Sequence, residues 1–156
     1  MSSRVTSDAF LDGYYYKPRS DWELLERHHE GLTVTTGCLG GLVSQLILQG
    51  EHDAALQAAA RMQDIFGRDH FFVELQDHGI EDQAKTLLPL LEIARKLQAP
   101  LLATNDSHYT HREGAEAHDA LLCVQTGALK SDANRLKFDG EEFFIKSAAE
   151  MRSLFR

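Results

Sequence analysis

Three short runs of β-forming residues, at 32–36, 71–75 and 100–104, are separated by stretches with helical periodicity. This alternation constrains the fold more than any other feature. Parallel strands cannot be joined by a tight turn; each crossover needs a dozen or more residues, usually a helix. The order strand, helix, strand, helix, strand therefore predicts βαβ units carrying a parallel sheet, in the α/β class. Three strands are few for such a sheet, which normally lies covered by helices on both faces. The expected architecture is an α/β layer that is incomplete on its own.

The helices can be placed from caps and apolar spacing. Residues 20–29 read as a short helix with Ser20 or Asp21 as N-cap and Glu23 in the first turn, broken at Gly31. Gly40 and Gly41 open a second helix with Leu42, Val43, Leu46 and Ile47 on one face, ended by Gly50. Residues 53–66 form an Ala-rich helix expected to bury Leu56, Ala59, Ala60 and Met62. Residues 80–97 form a long amphipathic helix through Leu87, Leu90, Leu91, Ala94 and Leu97, with a kink expected at Pro89. A further helix spans 112–124, and 143–145 is a short extended piece. Ser147 caps a terminal helix, with Glu150 three residues on completing a capping box.

Composition excludes several classes. Of 156 residues, 43% are hydrophobic and 26% charged, the balance of a water-soluble globular domain. No run approaches the roughly 18 apolar residues of a membrane span, and the residues after Met1 contain no apolar leader segment. Cys38 and Cys123 alone make no disulfide framework, so a cytoplasmic setting is expected, with no membrane partner. The net charge of −8 argues against a chain that grips nucleic acid by itself, which would carry a basic stripe. Contact with DNA is expected through other parts of an assembly.

The chemistry-bearing residues collect at strand ends. Asp106 and His108 lie just beyond the run at 100–104 and, two apart on an extended backbone, face one side. A carboxylate and an imidazole at a strand mouth suit a metal-assisted hydrolase, although Asn105-Asp106-Ser107 is also ordinary turn chemistry. Cys38 follows Gly37 just past the run at 32–36. Its thiolate suits zinc, while a small buried hydrophobe is the commoner fate of a free cysteine. Glu74 and His78, at the end of the run at 71–75, are candidates for orienting a ligand from behind; a direct ligand role for His78 is not favoured. His118 and Cys123 are five apart, share no helical face and read as structural. His28, His29, His52, His70 and His111 read as surface residues, and no residue of the chain is assigned a catalytic role.

Several motifs occur together: Tyr14-Tyr15-Tyr16-Lys17-Pro18-Arg19, Thr36-Gly37-Cys38-Leu39, Glu74-Leu75-Gln76-Asp77-His78-Gly79, Ala103-Thr104-Asn105-Asp106-Ser107-His108-Tyr109, Leu121-Leu122-Cys123-Val124-Gln125-Thr126-Gly127, Asn134-Arg135-Leu136-Lys137-Phe138 and Phe144-Ile145-Lys146-Ser147. Through this ordered series the chain closely resembles the C-family replicative polymerases, the alpha subunits of bacterial DNA polymerase III. The resemblance implies the second half of a polymerase-and-histidinol-phosphatase (PHP) domain over 1–140, and the start of the connection toward the polymerase palm over 141–156. It implies a partial distorted βα barrel of PHP type. It also places Cys38, Asp106 and His108 at three metal-ligand positions, for zinc or manganese, in a domain that can carry metal-dependent 3′–5′ exonuclease activity.

The family's first half, with its His-x-His ligands, is absent from the sequence, as are the palm carboxylates that hold magnesium for nucleotidyl transfer. Two-metal phosphoryl transfer needs those carboxylates, so this chain by itself is expected to lack polymerase activity. DNA, the replisome subunits and the rest of the alpha subunit are the partners implied, and the whole reads as a fragment, marginally stable when isolated. Two other readings stay open. One is a free-standing PHP-type phosphoesterase using Cys38, Asp106 and His108 around one zinc; the other is a non-catalytic structural module.

Overall fold

The computed structural model describes residues 2–155. In chain order these form α1 (Ser2–Leu11), α2 (Trp22–His28), β1 (Val34–Thr35), α3 (Leu42–Leu48), α4 (His52–Phe66), β2 (Phe71–Leu75), α5 (Glu81–Leu97), β3 (Leu101–Ala103), α6 (Ala115–Thr126) and α7 (Ala148–Leu154), with short 3-10 turns at Arg68–His70 and Arg112–Gly114. The chain divides into two compact units. One comprises Met1–Glu74 and Pro89–Leu102, the other Leu75–Leu88 and Ala103–Arg156.

In the first unit β1 pairs with β2 in parallel, Val34 opposite Phe71 and Thr35 opposite Phe72. The sheet order is β1-β2-β3, and the Val73 N–H donates to the Pro100 carbonyl at 3.0 Å. β2 is central and alternates strictly, with Phe71 and Val73 fully buried. This is the three-stranded parallel sheet that the βαβ rhythm predicts. The strand at 100–104 departs from expectation. It was expected to be buried, yet Leu101 and Leu102 are 48% and 37% exposed. β3 ends the sheet order and takes hydrogen bonds from β2 on one side only, so its apolar run is not enclosed.

The helices follow their caps more closely than their apolar counts. Asp21 caps α2 by accepting from the Leu24 N–H at 2.8 Å. α4 buries Ala55, Ala59 and Phe66 rather than Leu56, Ala60 and Met62. Alanines at a contact let a helix approach its neighbour closely, so the tightest stripe of an Ala-rich helix need not carry its largest side chains. On α5 the buried positions are Gln83, Thr86, Leu90, Ile93 and Ala94, while Leu87 is 37% exposed. Pro89 lies inside α5. α1 was not anticipated, because its sequence is polar; its Asp8 Oδ2 lies 3.1 Å from His28 Nε2 of α2. His28 is therefore a half-buried pairing residue, not a simple surface one.

In the second unit the Leu75 carbonyl accepts from the Thr104 N–H at 3.1 Å. The expected helix at 112–124 begins with the 3-10 turn and runs on as α6 to Thr126, where Gly127 takes the left-handed conformation (φ 66°) and closes the helix. The extended piece at 143–145 contributes one parallel bridge, Tyr109 to Phe144. The capping box of α7 forms as expected: the Ser147 N–H donates to Glu150 Oε2 at 2.7 Å, and the Glu150 N–H donates to Ser147 Oγ at 3.3 Å.

Candidate metal loop and its supports

Leaving the sheet at Ala103, the chain enters a loop whose backbone turns sharply at Asp106, with φ at 43°. This left-handed conformation is costly for most side chains, and aspartate is among the few that adopt it. The turn brings Asp106 Oδ1 to 3.6 Å from His108 Nε2, both side chains about one third exposed. The extended backbone expected from sequence is absent here; the left-handed turn is what brings the two residues together at the surface of the loop.

The loop is held mainly through Asn105, which is buried. Its Nδ2 donates to the Glu142 carbonyl at 2.8 Å and to the Phe144 carbonyl at 2.6 Å. Its Oδ1 accepts from Lys146 Nζ at 3.1 Å. Ser107 Oγ donates to the Phe144 carbonyl, and the His108 N–H donates to the Phe143 carbonyl at 2.8 Å. The extended piece at 143–145 therefore clamps the candidate donors through backbone and side-chain bonds together.

His78 supports the loop from the other side. Gln83 Oε1 accepts from the His78 backbone N–H at 2.8 Å, which fixes the amide so that Gln83 Nε2 donates to His78 Nδ1 at 2.7 Å. His78 must then carry its proton on Nε2, which lies 2.7 Å from the Asn105 carbonyl and donates to it. The ring also stacks on Phe143 with centroids 4.1 Å apart. Both ring nitrogens are engaged within the protein, so His78 is a support and holds no free electron pair for an ion.

His108 also belongs to an aromatic cluster. Phe138 packs edge-on against His108 and His118 at 4.6 and 4.9 Å, and the two imidazole centroids are 5.3 Å apart. Burial, and then the neighbouring His108, hold His118 below the usual histidine range. Beside this cluster lies a cleft of about 260 Å3 lined by Tyr109, His118, Asp119, Arg135, Lys137 and Phe138. Arg135, only 10% exposed, grips Asp119 with both guanidinium nitrogens at 2.5 and 2.8 Å. That contact is the main cause holding the Asp119 carboxyl below its usual range. The guanidinium charge is thus balanced by the Asp119 carboxylate.

The remaining candidates belong to the first unit. Cys38 is exposed on the loop between β1 and α3. Gly41 in that loop is obligatory, since a Cβ there would stand 2.5 Å from the Thr36 carbonyl. Glu74 on β2 accepts from Thr35 Oγ1 of β1 at 2.5 Å, so its carboxylate ties the two strands together. Among the described residues no group of three or more His, Cys, Asp or Glu side chains is arranged to hold an ion. The residues whose supporting role was not read from sequence are Asn105, Gln83, Phe138 and Lys146. Asn105 had the most direct signal, since it precedes the candidate Asp, while Phe138 and Lys146 stood only within the motif series.

Among the described residues no helix is long and apolar enough to cross a membrane. The family model for the PHP domain matches residues 1–78. DNA polymerase III subunit alpha of Borreliella burgdorferi is 47% identical over 152 residues, covering 97% of this chain and 13% of that protein. The subunits of the same name from Treponema pallidum and Deinococcus radiodurans are 44% identical over 151 and 149 residues, covering 97% and 96% of this chain. The chain spans 13% of the first of these relatives.

Proposed function

Because the chain belongs to the PHP domain family, we propose that it is the PHP-bearing segment of a bacterial replicative DNA polymerase, working within a DNA polymerase III alpha subunit. The observation that carries this reading is identity of 44–47% over nearly the whole chain to proteins of that name. In this reading the PHP part runs over 1–140 as part of a distorted βα barrel, and 141–156 begin the connection toward the palm. DNA, the replisome subunits and the rest of the subunit are its partners, in the cytoplasm. Nucleotidyl transfer on magnesium belongs to palm carboxylates outside this chain, which alone lacks polymerase activity.

Cys38, Asp106 and His108 are the proposed metal positions in that reading. Within the second unit the chemistry of the donors fits the group, since carboxylate and imidazole suit zinc or manganese; a thiolate such as that of Cys38 favours zinc. The 3.6 Å approach of Asp106 to His108 presents two such donors from one loop. A bound divalent ion would supply charge stabilisation and an activated water for 3′–5′ hydrolysis of a DNA end. Asp106 and His108 would hold it, while Asn105 and His78 fix the loop behind them. A second reading, a non-catalytic structural module, draws on the lack of any three-donor group among the described residues.

The test is metal-dependent trimming of a mispaired 3′ end by the full-length polypeptide, wild type against Asp106→Asn. Trimming that disappears in the variant while primer extension persists supports the exonuclease reading. Equal trimming in both refutes it, and trimming by neither, with no bound metal, favours the structural module.

A further inference from the structure

Lys146 is 4% exposed, a rare setting for an ammonium group. Its three donors find three acceptors: Asn105 Oδ1 at 3.1 Å, the Glu142 carbonyl at 2.5 Å and Glu142 Oε2 at 3.1 Å. The ammonium also lies 4.3 Å from the centroid of the Phe144 ring. Glu142 is held in turn by Arg112, which chiefly keeps its carboxyl below the ordinary range. A buried charge persists only when fully paired, and here the pairing ends on the residue before Asp106. A methionine would fill much the same volume without any of this cost, so packing alone does not explain a lysine.

We propose that Lys146 is a positioning residue for the metal loop, acting through Asn105 to fix the left-handed turn that sets Asp106 against His108. Asn105 Nδ2 is committed to two carbonyls, which orients the amide and aims Oδ1 at the ammonium. The lysine therefore locks the amide, the amide locks the backbone at 105, and the next residue carries the carboxylate. Loss of the lysine would leave the buried Asn105 Oδ1 without its partner and loosen, while the two Nδ2 bonds remain, the hold on the turn that keeps Asp106 in the left-handed region, a conformation costly for a residue with a Cβ. Supports of this kind usually change metal affinity by about 10–100-fold. The proposal rests on the reading of Asp106 and His108 as metal donors.

The experiment measures manganese and zinc affinity of the full chain by equilibrium dialysis with elemental analysis, for wild type, Lys146→Met and Asp106→Asn, the last keeping the turn and removing the charge. Thermal unfolding without metal is recorded alongside. The expected result is a loss of about 10-fold or more in affinity for Lys146→Met, with the metal-free melt remaining cooperative, and a larger loss for Asp106→Asn. Unchanged affinity in Lys146→Met, with Asp106→Asn still defective, overturns the positioning role and leaves the metal reading standing. Wild-type protein that binds neither ion, or Asp106→Asn that binds normally, overturns the metal reading and this proposal with it. If Lys146→Met loses its cooperative melt, Lys146→Arg carries the test. It keeps a cation on Glu142 but displaces the contact with Asn105 Oδ1, so weakened affinity supports the role and wild-type affinity refutes it.

Discussion

Replacing His78 by phenylalanine keeps a ring against Phe143 and removes only the two ring hydrogen bonds. A Gln83 amide N–H and the Asn105 carbonyl lose their partner, both on buried residues. Each stranded buried polar group costs about 1–3 kcal/mol, so two together cost about 2–6 kcal/mol before relaxation. Gln83 retains its bond from the His78 backbone, which limits how far it can turn to find another acceptor. A net loss of about 3 kcal/mol is expected once relaxation is allowed for. That is a large share of the roughly 5–15 kcal/mol that holds a typical domain folded. It corresponds to a fall in melting temperature of roughly 6–12 °C for a chain of this size. Urea unfolding of the full chain, followed by far-ultraviolet circular dichroism, reads the loss directly. A loss below about 0.5 kcal/mol at unchanged m-value would sink the argument, because it would mean that the ring acts by stacking alone.

Other expectations follow from the same contacts. Phe71→Ala, at a fully buried position in the central strand, should cost about 3–5 kcal/mol, and a change under 1 kcal/mol in denaturant unfolding would contradict its place in the core. Ser147→Ala removes one half of the capping box and should cost about 1 kcal/mol, visible as faster amide exchange across α7. The Asp119 carboxyl is held below its ordinary 3.8 chiefly by hydrogen bonds from Arg135. Its folded value lies under its unfolded one, so the stabilisation is complete above that ordinary value and disappears as pH falls through the folded one. Asp119→Asn should therefore be less stable than wild type near neutrality, with the gap narrowing in acid; a gap independent of pH would refute the ionic account.

Strand and helix order were legible because period and punctuation are local properties. Phe71, Val73 and Leu75 alternate into the core as written, and Asp21 and Ser147 cap the helices they precede. Which face of a helix turns inward was less legible. α5 buries Gln83 and Thr86, polar residues that an apolar count passes over, and Gln83 is buried because it completes the bonding of His78. α1 was missed because its polar sequence carries no clear stripe. Of the candidate site, Asp106 and His108 stood out as a carboxylate and an imidazole just past a strand, but the left-handed turn that brings them together was not legible. Lys146 and Glu142 did not stand out, since they lie about 40 residues further on and reach Asn105 only through tertiary folding. His118 reads as structural from sequence; its packing against His108 and Phe138 depends on tertiary folding.

The positive φ of Asp106 narrows the alphabet at that position before any chemistry is asked of it. Glycine, asparagine and aspartate enter the left-handed region with least cost, and among these aspartate alone brings a negative charge. If Asp106 holds a metal as proposed, backbone geometry and an anionic donor select the same residue by separate routes. Substitution there cannot be read as a purely chemical perturbation: alanine or glutamate changes the shape of the turn as well as the donor. Asparagine keeps the turn and discards the charge, whereas glycine keeps the turn and discards the side chain, so this pair separates fold tolerance from function at one site.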